Sequence, residues 1–192
     1  MSYEAESLKH LRKSLDEEED DTNIIHILEN HHKYLKEYSD LLIHADVPIN
    51  SKRSTLSLFL RILNMHARAE EETFYQVLQE SRNHQVRLEG LRGHDEHEIA
   101  YEIVEELKEL GAEDTWTEEI DAKVRVLAGL IKGHIKEEET IMFPLAHKFI
   151  PESKLIDLTD DYLDKCKLSL DKKMENKIPS EVSMSDVMTF FY

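Results

Sequence analysis

His66 and Glu70 stand four residues apart, as do His134 and Glu138, in segments reading His66-Ala-Arg-Ala-Glu70 and His134-Ile-Lys-Glu-Glu138. An acidic residue and then an apolar or aromatic pair follow each: Glu71 with Phe74-Tyr75, and Glu139 with Met142-Phe143. On an α-helix, residues i and i+4 differ by about 40° around the axis and about 6 Å along it, so each His and Glu share one face. Two such faces aimed at one point make a metal site of mixed nitrogen and oxygen donors, of the kind iron or manganese accepts.

A site between two helices needs donors from the helices that flank them. His31 and His32 lie on one preceding segment, and His94 and His97 on another. His32 falls about 13 residues before its helix end and His66 about 13 after the next start, while His66 and His97 each lie about 12 from a shared connection. At about 1.5 Å per residue, antiparallel neighbours bring these side chains to one level, with His134 about a turn further along. Pattern selects within each pair: Leu28 and Leu35 flank His32, and Leu107 follows His97 as Leu42 follows His32. Neutral imidazoles donate one nitrogen each and a carboxylate can bridge two ions. Four His and two Glu therefore serve two metals and leave coordination positions open for dioxygen, nitric oxide or peroxide.

The elements that must position these groups read as helices. Asp21 or Thr22 caps the first, which carries Ile24, Ile25, Leu28, Leu35, Leu41 and Leu42 and stops near Pro48. The second starts around 51–54, carries Leu56, Phe59, Leu60, Leu63, Phe74 and Leu78, and fades near Asn83. The third runs from about Gln85 to Leu110, with Gly90 and Gly93 weakening its first turns and Gly111 placed to cap its end. Thr115-Trp-Thr-Glu118 reads as a capping box opening the fourth, which runs to about Ile150 with a kink expected at Pro144. Pro151 opens a fifth through Leu155, Leu158, Tyr162 and Leu163. The expected fold is all-α: an up-down-up-down four-helix bundle over 22–150, a short acidic extension over 1–21, and a C-terminal helix and tail over 151–192. Leu8, Leu11 and Leu15 give the extension a short apolar spacing, and Phe190-Phe191-Tyr192 ends the chain on a group that could dock.

Composition agrees. In 192 residues there are only 5 Gly and 4 Pro, while charged residues reach 34%. A formal charge of −17 argues against nucleic-acid binding, which rests on Lys and Arg neutralising phosphates. No apolar run approaches membrane-spanning length and no secretory signal is visible, so a soluble, cytoplasmic protein is expected. Cys166, the single cysteine, can form no internal disulfide and is read as a packing residue.

Leu28-Glu-Asn-His-His32, His66-Ala-Arg-Ala-Glu-Glu-Glu-Thr-Phe-Tyr75, Gly93-His-Asp-Glu-His97 through Leu107, and His134-Ile-Lys-Glu-Glu-Glu-Thr-Ile-Met-Phe-Pro144 together resemble the hemerythrin-like, or HHE cation-binding, family over about 22–150. The resemblance implies a four-helix bundle around a non-haem di-iron centre, with His32, His66, Glu70, His97, His134 and Glu138 as ligands and the two Glu as bridges. Two iron ions are the expected cofactor, with manganese second. Oxygen-carrying hemerythrins are similar in fold but place His-xxx-His on the third helix and His-xxxx-Asp on the fourth. Here Tyr101 is the i+4 partner of His97, and the fourth helix carries Glu138. Iron-sulfur-repair relatives carry an N-terminal cysteine motif, and no cysteine precedes Cys166.

The leading expectation is a di-iron protein that binds or senses dioxygen, nitric oxide or peroxide, or holds iron. A di-iron oxidase, peroxidase or nitric-oxide-detoxifying enzyme is the alternative, and a metal-free helical interaction module the third. His31, His94 and Tyr101 are candidates for additional ligation or for contact with a metal-bound species. Glu71 and Glu139 turn about 100° away from the proposed ligands, toward solvent or the ligands' outer sides.

Overall fold

Asn23 begins the helical part of the chain by capping it: its side-chain oxygen accepts a bond from the Ile25 N–H at 3.0 Å. The computed structural model describes residues 23–112 and 114–175, so Asp21 and Thr22, the Leu8, Leu11 and Leu15 spacing, the acidic run and the terminal aromatic residues lie outside the described residues. Among the described residues there are seven α-helices: α1 (Ile24–Ile43), α2 (Ile49–Glu71), α3 (Phe74–Gln79), α4 (His84–Glu109), α5 (Glu118–Glu137), α6 (Phe143–Phe149) and α7 (Glu152–Glu175). A π-helical segment, Glu138–Met142, joins α5 to α6. No strand occurs among the described residues.

The expected second helix is interrupted. At Thr73 the backbone leaves helical geometry (φ −132°, ψ −80°). The Thr73 hydroxyl donates to the Ala69 carbonyl at 2.6 Å, the local competition by which a threonine weakens a helix. The break re-aims the chain so that Phe74 and Tyr75 are both fully buried. A π-helical widening precedes Pro144, where the sequence predicts a kink. Phe143 N–H bonds to the Glu138 carbonyl five residues back, so the backbone widens just before the proline.

Helix ends follow from side chains. Asn83 accepts from Gln85 and Val86 N–H at 2.9 and 3.2 Å and starts α4 firmly, despite Gly90 and Gly93 in its first turns. Those glycines are packing positions. A Cβ on Gly90 would lie 2.8 Å from Leu78 Cβ, and one on Gly93 would lie 2.6 Å from the Tyr75 hydroxyl, so both let α4 close on α3. Gly111 (φ 69°) ends α4 with Gly111 N–H to Lys108 O and Ala112 N–H to Leu107 O, the paired bonds of a Schellman cap. The cap of α5 is Thr117, whose side chain accepts from Ile120 N–H at 3.2 Å, two residues after the expected Thr115.

α1 packs on α2 and α5, α4 on α3 and α5, and α7 lies against α2 and α1. One apolar core runs through all of them, from Leu28, Leu35 and Leu42 on α1 to Leu155, Leu158 and Leu163 on α7. Each such buried side chain gains roughly 1.5–3 kcal/mol over exposure, so α7 is held by its own apolar face as well as by what it contacts in the interior.

Candidate metal centre

Polar groups sit in the middle of this apolar core. His31, His32, His66, His97, His134, Glu70 and Glu138 are each no more than 5% exposed, a costly placement unless the groups satisfy one another or a cation. Six of them form a ring, closed where the His66 and His32 imidazoles meet edge to face with centroids 5.1 Å apart. His32 Nε2 lies 3.1 Å from Glu138 Oε2, which lies 3.3 Å from His134 Nε2. His134 Nε2 faces His97 Nε2 at 3.0 Å, His97 Nε2 is 3.8 Å from Glu70 Oε2, and Glu70 Oε2 is 3.3 Å from His66 Nε2. All four imidazoles turn the same nitrogen inward.

Two overlapping groups of donors result. His32, His66, Glu70 and Glu138 offer atoms within 4.8 Å of one another, and so do Glu70, His97 and His134. Glu70 belongs to both, and Glu138 Oε2 faces a histidine of each, which is where bridging carboxylates must stand. His32 Nε2, His66 Nε2, both oxygens of Glu70 and Glu138 Oε2 are buried without any hydrogen-bond partner. Orphaned lone pairs from imidazole and carboxylate, converging at these distances, are the kind of donor set that suits a hard-to-intermediate cation, and each of the two groups could hold an ion.

The electrostatics agree. Burial, with Glu138 beside it, pushes Glu70 well above the usual carboxylate range. Burial opposes ionisation of Glu138 too, but His134 and His32 outweigh it and hold that carboxyl well below the range. Two carboxylates in one dry space ionise together only when positive charge stands between them. Burial and the neighbouring His32 lower His66 well below its ordinary value, keeping it neutral.

The outer nitrogens are fixed one by one. Glu139 Oε1 meets His32 Nδ1 at 3.1 Å, Glu71 Oε1 meets His97 Nδ1 at 3.1 Å, and Glu96 Oε2 meets His134 Nδ1 at 2.7 Å. Glu71 and Glu139 therefore do turn away from the centre, but onto the back of a ligand imidazole across the bundle. The His32 hydrogen bond and Lys36, at 2.9 Å, bring Glu139 down to about 2. Such carboxylates orient the ring and raise its basicity toward a metal. The π segment begins at Glu138 and carries Glu139, and Phe143 just after it stacks on His32 at 5.6 Å and 10°.

His66 is the exception. Its Nδ1 meets the Tyr162 hydroxyl at 2.9 Å, and His31 Nδ1 meets the same hydroxyl at 2.7 Å. His31 is thus brought to the edge of the centre but belongs to neither donor group; burial, and His32 beside it, lower it to about 3. His94 is 44% exposed, with Nδ1 3.8 Å from Glu71 Oε1, outside the ring. Tyr101 stands beside His97 with ring centroids 6.4 Å apart, and its buried hydroxyl has no hydrogen-bond partner.

Three contributors escape a reading of the sequence: Tyr75, Glu96 and Tyr162. Tyr75 donates to Glu138 Oε1 at 2.7 Å, stacks on His97 at 5.2 Å, and holds its hydroxyl 3.3 Å from His134 Nε2. Burial, then Glu138 and Glu70, push its pKa well up, so the phenol keeps the proton it donates. This bond leaves Glu138 Oε2 as the oxygen free for metal. Tyr75 stands in the repeated aromatic pair after each His-xxx-Glu, the one signal available beforehand.

The family model for the Hemerythrin HHE cation binding domain matches residues 23–146, more than half of the chain. No curated protein and no solved structure matched it.

Proposed function

We propose that this chain, which belongs to the hemerythrin HHE cation-binding family, is a non-haem di-iron protein that binds or senses dioxygen, nitric oxide or peroxide, or holds iron. One observation carries the reading: four buried imidazoles turn Nε2 inward onto two carboxylates, of which both Glu70 oxygens and Glu138 Oε2 have no hydrogen-bond partner. His32 and His66 would hold one iron, His97 and His134 the other, with Glu70 and Glu138 between them; manganese suits the same donors less well. Bound iron supplies open coordination positions and a change of oxidation state.

The chain's own residues do the rest. Tyr75 orients Glu138, and Glu139, Glu71 and Glu96 hold three imidazoles in the tautomer that presents Nε2. Phe74, Phe143 and Tyr75 wall the centre with apolar surface and restrict water. The reading includes an up-down-up-down bundle over 22–150 flanked by the 1–21 extension and the 151–192 helix and tail. It also includes a cytoplasmic setting, and neither nucleic acid nor membrane as partner. No helix among the described residues is long and apolar enough to cross a membrane.

A redox enzyme, turning over peroxide or nitric oxide, is the second reading. It is favoured by the unpartnered Tyr101 hydroxyl beside His97, a protonated group near the centre able to meet a small ligand. Mass spectrometry of digested protein from iron-supplemented cells tests the first reading: about two irons per chain are expected from the two donor groups. No metal, even after anaerobic reconstitution, would leave a helical interaction module. Peroxide and nitric-oxide turnover by the loaded protein separates the enzyme from the binder.

A further inference from the structure

The two halves of the centre repeat each other. In one, α1 carries His31-His32 and α2 carries His66, Glu70 and Glu71; in the other, α4 carries Glu96-His97 and α5 with the π segment carries His134, Glu138 and Glu139. The second glutamate of each His-xxx-Glu-Glu backs the imidazole of the opposite half: Glu71 on His97, Glu139 on His32. The residue before each single histidine should then back the remaining imidazole of its own half. Glu96 does so, on His134 Nδ1 at 2.7 Å. His31, at the equivalent place, does not reach His66 in this way; the Tyr162 hydroxyl stands between them, 2.7 Å from His31 Nδ1 and 2.9 Å from His66 Nδ1.

Tyr162 comes from α7, beyond the residues 23–146 that match the family model, and it is fully buried. Hydrogen-bond roles follow from the chemistry. With His66 Nε2 facing Glu70 as a lone pair, His66 Nδ1 carries the proton and donates to Tyr162. The single phenolic proton is then directed to His31 Nδ1, so His31 keeps its own proton on Nε2, which is buried without a partner. The chain His66 to Tyr162 to His31 is neutral throughout, where each of the other three imidazoles meets a carboxylate.

We infer that Tyr162 is a positioning residue for His66, and that by replacing a carboxylate with a phenol it makes the two metal positions unequal. This inference rests on the di-metal reading above. A carboxylate behind an imidazole raises its donor strength, and loss of such an outer partner typically costs 10–100-fold in metal affinity. The position at His97 and His134, backed by two carboxylates, binds the tighter ion. The position at His32 and His66, backed by one carboxylate and one phenol, binds the weaker.

Anaerobic titration with Fe(II) alone, against a competing chelator, tests this on the full chain. Wild type is expected to fill in two resolved steps. Tyr162→Phe keeps the ring and removes only the hydroxyl; it should weaken the second step about 10–100-fold and leave the first within about twofold. Glu96→Gln, which keeps the size of a partly buried side chain, should weaken the first step and narrow the gap. Leu158→Val, one turn before Tyr162 on α7 and buried in the apolar core, controls for loss of packing and should leave both steps in place. Cys166 is unsuitable because its thiol hydrogen-bonds the Tyr162 hydroxyl. Equal weakening of both steps by Tyr162→Phe, or an effect no larger than that of Leu158→Val, would overturn the inference. So would a wild type whose two ions bind indistinguishably. A wild type that takes up no Fe(II) defeats the di-metal reading itself, a separate result.

Discussion

Replacing Glu138 by Gln keeps the shape of the side chain and removes the charge from the oxygen that stands 3.1 Å from His32 Nε2 and 3.3 Å from His134 Nε2. Because that oxygen serves both halves of the centre, its loss should be felt by both ions. A four-ligand metal site gains about 10–16 kcal/mol, so one ligand carries about 3 kcal/mol, or about a hundredfold in affinity. With free metal at a hundred times the wild-type Kd, wild type is stabilised by about 2.7 kcal/mol, and a site a hundredfold weaker by about 0.4. The difference, about 2.3 kcal/mol, corresponds to about 5–9 °C in the metal-induced rise of Tm for a domain of this size. Glu139→Gln is the comparison. Glu139 meets His32 only at its outer nitrogen, is 28% exposed and shares its charge with Lys36. The Gln amide oxygen can still accept from that nitrogen, so the cost should be about tenfold, the low end for an outer partner. Each variant is melted with and without Fe(II) under anaerobic conditions, so that its own metal-free Tm is the baseline. A Glu139→Gln loss as large as that of Glu138→Gln would mean that the inward and outward carboxylates are misassigned. A Glu138→Gln protein with the full wild-type rise would remove Glu138 from the site.

Gly93→Ala should destabilise by about 1–3 kcal/mol and weaken metal binding, because its methyl would meet the rigid Tyr75 phenol at 2.6 Å and displace the group that orients Glu138. Gly129→Ala, facing open space on α5, should instead stabilise by about 0.5–1 kcal/mol; parallel melts of the two decide. Acidification from about pH 7 to 5 should release metal, since the ligating imidazoles must be neutral. Against burial, Glu138 and Glu139 raise His32 while Glu138 and Glu96 raise His134, so these two take up protons first. Dialysis at stepped pH followed by metal analysis reads this, and retention at about pH 4 would count against histidine ligation. Burial pushes the Cys166 thiol up to about 12. With the folded value raised, the folded state keeps the proton that the unfolded chain loses, so stability falls as pH climbs from about 8.5 toward 12, and at pH 8 alkylation of the native thiol should run roughly a thousandfold slower than in denaturant. A native rate close to the denatured one would show that α7 does not bury it.

What could be read along the chain was periodic or local. The i, i+4 repeats of His66-Glu70 and His134-Glu138 were legible because a helix turns a fixed angle per residue, and Gly111 was legible because a positive φ favours glycine. His32 was selected over His31 from flanking leucines, and the structure brings His32, not His31, into a donor group. The break at Thr73 was not legible, since Phe74 and Leu78 continue the apolar spacing of α2 and only a hydroxyl bonding back to Ala69 interrupts it. The π segment was not legible either. Pro144 announces that the backbone must adjust, but whether it bends or widens depends on what Glu138, Glu139 and Phe143 pack against.

The sequence by itself determined the donors that line the inner wall of this centre, because imidazole and carboxylate at helical spacing fix a shared face wherever the helix goes. Only the tertiary structure decided what stands behind them. Glu71 and Glu139 look alike to Glu70 and Glu138 in the sequence, and a 100° turn of the helix sends them to imidazoles on other elements. Glu96 reaches His134 across 38 positions of chain, and Tyr162 reaches His66 across 96. No periodicity encodes such distances; they exist because apolar faces close α4 on α5 and α7 on α2, and the hydroxyl and carboxylate arrive with them.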